Sequence, residues 1–162
     1  MNRRRIFGII GIISLVASFY SCDKSRVYDH VYTISDKGWE QDSLLHFSFA
    51  VTDTTRPYDI LLHIRNGSTY PFSNLWLFIQ TTSPAGNILR DTVEIPLADN
   101  TGKWLGKGLG DINAMLVPYK RNILFPHKGI YNISVQQAMR EQYLKNILDV
   151  GVRLQYHEKS GE

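Results

Sequence analysis

The chain has 162 residues, with 18 Lys and Arg against 15 Asp and Glu, for a formal net charge of +3. Three of those cations, Arg3, Arg4 and Arg5, fall in the first 21 residues, which hold no acid, so the remaining 141 residues balance 15 bases against 15 acids. A neutral remainder with no basic run beyond Lys120-Arg121 argues against nucleic-acid binding, and a single cysteine excludes an internal disulfide.

The N-terminus reads as an export signal. Behind the three arginines, Ile6 to Tyr20 form an uncharged apolar run of 15 residues, and polar sequence begins at Asp23. A membrane-spanning helix needs about 20 apolar residues, so a secretory signal over residues 1–21 fits better than an anchor. Cys22 follows directly. A thiol at a cleavage site has no folded surroundings to activate it and no partner for a disulfide, but it can be acylated. The segment resembles a bacterial lipoprotein signal, although Phe19 stands three residues before the cysteine where leucine is usual. Cys22 is therefore the expected lipidation site and the first residue of the mature chain. Diacylglyceryl plus N-acyl chains give the stable membrane attachment that one chain does not. Residues 22–30 are expected to tether the lipid to the domain.

From Val31 onward the apolar residues alternate, which indicates strands with one buried face. Leu45, Phe47, Phe49 and Val51 share a face, as do Ile60, Leu62 and Ile64. Leu75, Leu77 and Ile79 alternate with Trp76 and Phe78. Val93, Ile95 and Leu97, then Tyr131, Ile133 and Val135, and finally Val150, Val152, Leu154 and Tyr156 repeat the pattern. Turn formers separate these runs, in TDTTRP, NGSTYP, SPAGN, ADNTG and PHKG. Parallel strands would require crossover helices, and none is visible. The expected fold is thus an all-β antiparallel sandwich, immunoglobulin-like or jelly-roll-like, over residues 31–157, with a polar tail at 158–162. At most one short helix is expected, near 137–147, where Ala138, Met139, Tyr143 and Leu144 would make an apolar stripe.

Catalytic chemistry is not visible. The five histidines are scattered, with no metal-binding pair on a helix. His46 and His63, on outer faces of strands expected to be neighbours, could meet, but two separate surface histidines are the foremost expectation. The glycine-rich stretch Gly102–Asp111 fails both phosphate-binding patterns, since Thr101 replaces the first glycine of one and Asn113 the third glycine of the other. Close backbone approach explains those glycines better. Asp91, Glu94, Asp99 and Asp111 nominate no acid–base pair, and the sequons at Asn66 and Asn132 read as accidental. No catalytic residue, cofactor or metal is expected. The candidate contacts for a partner or ligand are aromatic: Trp104 on the glycine-rich loop, and Trp76 with Phe78 on one strand face. That face would bind a protein, stack on a glycan, or lie covered inside the fold, the covered arrangement being the foremost expectation.

A family resemblance covers nearly the whole chain. The segments RN, YPFSNLWLFI, DTVEIPLADNTGKWLGKGLGDI, FPHKGIY and QAMREQYLKNILDVGVR, in this order and spacing, resemble the GldH family of gliding motility lipoproteins of Bacteroidetes. The resemblance implies an envelope lipoprotein tied to gliding and to type IX secretion, and it does not imply an enzymatic activity; a noncatalytic role through binding other envelope proteins is the leading expectation. It carries over one residue, Cys22, as the lipidated position. The expected location is the outer membrane, facing the periplasm. A glycan-binding envelope module is the alternative.

Overall fold

The computed structural model describes residues 25–108 and 110–158. Its strands are β1 (Arg26–Thr33), β2 (Trp39–Glu40), β3 (Leu45–Val51), β4 (Tyr58–Gly67), β5 (Asn74–Thr82), β6 (Ile88–Pro96), β7 (Ile112–Ile123), β8 (Gly129–Gln137), β9 (Tyr143–Leu144) and β10 (Ile147–Tyr156). Two four-stranded antiparallel sheets, β1-β10-β4-β7 and β3-β8-β5-β6, form a sandwich, and β2-β9 adds a small ribbon. Among the described residues, only β5 and β6 are joined as a hairpin within one four-stranded sheet; the other connections cross between sheets.

The alternation read from the sequence sets the core. Ile60, Leu62, Ile64, Val150, Val152 and Leu154 of one sheet meet Phe47, Phe49, Leu75, Leu77, Ile79, Ile133 and Val135 of the other, all buried. The buried tyrosine hydroxyls and the Asp59 carboxylate are partnered, as burial requires. The Tyr58 hydroxyl donates to Asp53 O at 2.7 Å and that of Tyr70 to Asn74 O at 3.0 Å. Buried Asp59 accepts from Asn122 N at 2.8 Å and lies 2.8 Å from His157 Nδ1.

Several elements differ from the sequence reading. Among the described residues there is no helix. Over 137–147, Gln137 organises the chain instead: its Nε2 donates to Glu141 O at 2.7 Å and its Oε1 accepts from Met139 N at 2.8 Å. Ala138 N bonds Trp76 O, and β9 pairs with β2. The supposed helical stripe is divided, with Met139 and Leu144 buried and Tyr143 exposed. The 12-residue β7 has no counterpart in the sequence reading, because Ala114–Val117 is apolar on both faces and Pro118 signals a break. As an edge strand, β7 tolerates that proline. Strand β1 begins at Arg26, inside the stretch expected to be tether. Its rings pack on β3, Tyr28 at 5.7 Å from Phe49 and Tyr32 at 5.2 Å from Phe47. His46 and His63 do not meet, since β3 and β4 belong to different sheets.

The two ends of the sandwich differ. At one end lie Ser25, Tyr156, Tyr58 and Ile123 of the first sheet, and Val51, Gly129, Thr82 and Ile88 of the second. At the other lie Thr33, Asn66, Ile112, Leu45 and Pro96.

Candidate functional site

Strand β5 is an interior strand, flanked by β8 and β6. Its buried face carries Leu75, Leu77 and Ile79, so Trp76 and Phe78 must point to the opposite side. Among the described residues nothing covers that side: Trp76 is 37% and Phe78 50% exposed. The covered arrangement expected from sequence is thus corrected, because the outer face of the β3-β8-β5-β6 sheet is open. Phe78 lies between Thr92 on β6 and Gln136 on β8, and Trp76 stands opposite Glu94.

The polar frame around these rings is ordered by cross-strand bonds. Asn74 Nδ2 donates to Glu94 Oε1 at 2.6 Å, Arg90 Nε to Gln80 Oε1 at 2.9 Å, and Gln136 Nε2 to Gln41 O at 2.7 Å. Two shallow clefts adjoin the rings. One of about 430 Å³ is lined by Leu44, Phe78, Gln80, Arg90, Ser134 and Gln136 among others. The second, about 380 Å³, runs beside Trp76 along Phe72, Asn74, Met139 and Arg140. Met139 holds that edge by accepting the Trp76 backbone N–H on its sulfur at 3.4 Å. The surface therefore offers two aromatic faces among fixed hydrogen-bonding groups.

Trp104 belongs to a different setting. The turn before it is closed by Asp99, whose carboxylate accepts from Thr101 N, Thr101 Oγ1 and Lys103 N. Those bonds, the Thr101 side chain first, hold the Asp99 carboxyl below its ordinary range. Trp104 pairs with Ala98 and packs half-buried against the core, 6.5 Å from the Tyr70 ring. It supports the far end of the sandwich and is not on the open sheet face with Trp76 and Phe78. The glycines after it do serve close approach, for a Cβ on Gly108 would fall 1.6 Å from Ile112 O. Cys22 lies outside the described residues.

Ionisable clusters form two further networks. On the outer face of the other sheet, Asp29 bridges Arg153 at 2.7 Å, His63 at 3.0 Å and Arg26 at 3.6 Å. His63 Nε2 is buried and lies 3.0 Å from Asp29 Oδ1 without an aligned hydrogen bond. Burial pulls the His63 pKa below its ordinary value despite Asp29. At the sandwich seam, Asp91 takes bonds from the Tyr119 hydroxyl at 2.5 Å and Lys120 at 2.9 Å, which hold its carboxyl below the usual range. Among the described residues no three His, Cys, Asp or Glu side chains are placed to hold a metal.

A sequence profile described as GldH lipoprotein matches residues 26–154, from the first strand into the last. The chain belongs to the GldH lipoprotein family. Similar proteins include the gliding motility lipoprotein GldH homolog of Christiangramia forsetii, 38% identical over 159 residues that cover 94% of this chain and 97% of the relative. The gliding motility lipoprotein GldH of Flavobacterium johnsoniae is 35% identical over 153 residues, covering 90% and 94%. Among solved structures, a family GH115 4-O-methyl-alpha-glucuronidase with specificity for decorated arabinogalactans aligns at 12% identity and a TM-score of 0.40, covering 86% of this chain and 18% of that one. A structure of promiscuous carbohydrate-binding modules from the β-sandwich superfamily aligns at 11% identity and 0.33, covering 80% and 52%. Neither overlap is close enough to bear on what this GldH-family chain binds.

Proposed function

We propose that this GldH-family lipoprotein is a noncatalytic component of the gliding apparatus and its associated type IX secretion machinery. It is held by acyl chains on Cys22 in the outer membrane, facing the periplasm, and acts by binding another envelope protein. The observation that carries the interaction is the open outer face of the β3-β8-β5-β6 sheet, where Trp76 and Phe78 stand uncovered on an interior strand. Partly exposed aromatic rings within an ordered polar frame are the residues that dominate protein interfaces. The relatives' names, gliding motility lipoprotein, support the setting.

The test is affinity capture. A tag placed after Glu162, with gentle solubilisation of native membranes, should recover gliding or type IX secretion components from the lipidated protein and lose them from Cys22→Ala. Recovery of abundant porins alone, from a chain shown to be folded and lipidated, would overturn this reading. The same face supports one alternative, because Phe78 is ringed by Gln80, Arg90, Ser134 and Gln136, groups that bind sugar hydroxyls. Saturable binding on a glycan array, abolished by Trp76→Ala, would favour that alternative.

A further inference from the structure

The first described residues are held at a fixed point. Tyr156 N donates to Ser25 O at 2.8 Å, and β1 pairs with β10 from Arg26 onward. Cys22 is three residues before Ser25, and three residues of fully extended chain reach about 10 Å. Lipid on Cys22 therefore leaves no room for a layer of another protein between this end of the sandwich and the bilayer.

Among the described residues, that end is also where the most exposed large apolar side chains collect. Leu124 is 62% exposed, Ile88 53%, Leu89 52% and Ile130 52%, ahead of Phe78 and Leu105 at 50%. Leu124 lies in the β7–β8 connection, Ile130 opens β8, and Ile88 and Leu89 open β6 after the 83–87 turn. These segments sit together. The space where a Cβ on Gly129 would stand is already filled by Pro84, at 2.8 Å, and Ile88, Leu89, Ile123, Phe125 and Pro126 line a single apolar cleft of about 420 Å³. An exposed apolar collection of this kind marks a surface for a partner or a membrane. Its charges match a headgroup layer: Arg56, Arg121 and Lys128 are exposed there. Of the neighbouring acids, Asp91 is paired with Lys120 and Asp59 lies against His157, while Asp53, hydrogen-bonded to Thr55, and Glu158 keep their charge, leaving three exposed cations against two acids.

We propose that this end of the sandwich is a membrane-contact surface. Leu124, Ile88, Leu89 and Ile130 enter the interfacial region of the bilayer that holds the lipid, while Arg56, Arg121 and Lys128 meet the phosphates. The proposal rests on acylation of Cys22. An apolar rim of this kind settles a few ångströms into the headgroup boundary, and long cationic side chains reach back to the phosphates. The domain is then seated and oriented, with the aromatic face on its side wall. A protein partner for the same rim would have to fit within the reach of the three-residue link, which favours lipid as the occupant.

The test uses the mature lipoprotein with its acyl chains, reconstituted into vesicles of phosphatidylethanolamine and phosphatidylglycerol. Acylation consumes the Cys22 thiol, so one added cysteine can carry an NBD label. Leu124→Cys and Ile88→Cys report on the rim; Leu105→Cys and Ile112→Cys report on the opposite end. Flotation with the vesicles is checked first. The expected result is blue-shifted emission at 88 and 124, quenched several-fold more by nitroxide lipids than emission at 105 and 112. Flotation with equal quenching at both ends, or none at either, overturns the membrane-contact surface and leaves the anchor standing. Failure to float overturns the anchor, and the proposal falls with it.

Discussion

The double substitution Trp76→Ala/Phe78→Ala separates binding from folding on the open sheet face. A large aromatic side chain buries about 200 Å² when fully covered. With Phe78 half exposed and Trp76 37% exposed, a partner has about 180 Å² of aromatic surface left to cover. At about 25 cal/mol per Å² the ceiling is about 4–5 kcal/mol. Association costs reduce what appears as affinity, and a loss of about 2 kcal/mol, or ~30-fold in affinity, is expected. The cost to folding is smaller, because the rings contribute cross-strand contacts worth about 1 kcal/mol each to a domain stable by about 5–15 kcal/mol. The assay is quantitative capture of the partner by the tagged mature protein, beside a thermal melt of the same preparation. Undiminished capture by a folded double variant would refute the role of this face.

Two further outcomes follow from backbone and charge. Gly38 has a φ of 103°, and a Cβ there would stand 2.9 Å from Leu144 O, so Gly38→Ala should cost about 2 kcal/mol or more, read as a lower urea midpoint with an unchanged slope. His63 is held below its ordinary pKa in the fold, so the unfolded chain takes up its proton more readily. Its share of stability is complete above about pH 6.5, the unfolded value, and declines as pH falls from there through the folded value. His63→Gln should flatten that part of the profile relative to the parent, and an unchanged difference across the window would count against the burial argument.

What the sequence conveyed was the side of each strand. Leu45 to Val51, Ile60 to Ile64 and Val150 to Tyr156 alternate cleanly because one sheet face packs on the other sheet, and period two is then imposed by burial alone. Legibility failed where another rule intervened. Strand β7 is an edge, so Pro118 removes no needed hydrogen bond, and its outer face bears Ala114 and Leu116, which erase the alternation. Residues 137–147 have helix-forming composition, yet the Gln137 side chain ties them locally and Leu144 is buried where β9 pairs with β2. The exposure of Trp76 and Phe78 was not legible either, because an alternating strand looks the same whether its second face is covered or open. Trp104 looked exposed for the opposite reason: glycines on either side suggested a loose loop, and the three bonds accepted by Asp99 are invisible in composition.

The two surfaces are separated along one strand. Thr82 lies in β5 at the lipid end, and Trp76 is six residues away along the same strand, a distance of about 20 Å. A partner gripping Trp76 and Phe78 must therefore present its contact well clear of the headgroups, as a soluble domain or a long loop. Anchoring and contact then enter affinity differently. Lipid on Cys22 raises the effective concentration of an unchanged surface, whereas the two rings supply the contact itself. A soluble Cys22→Ala protein made in excess should restore what dilution removed, but excess of the Trp76→Ala/Phe78→Ala lipoprotein, already concentrated at the membrane, has little left to gain.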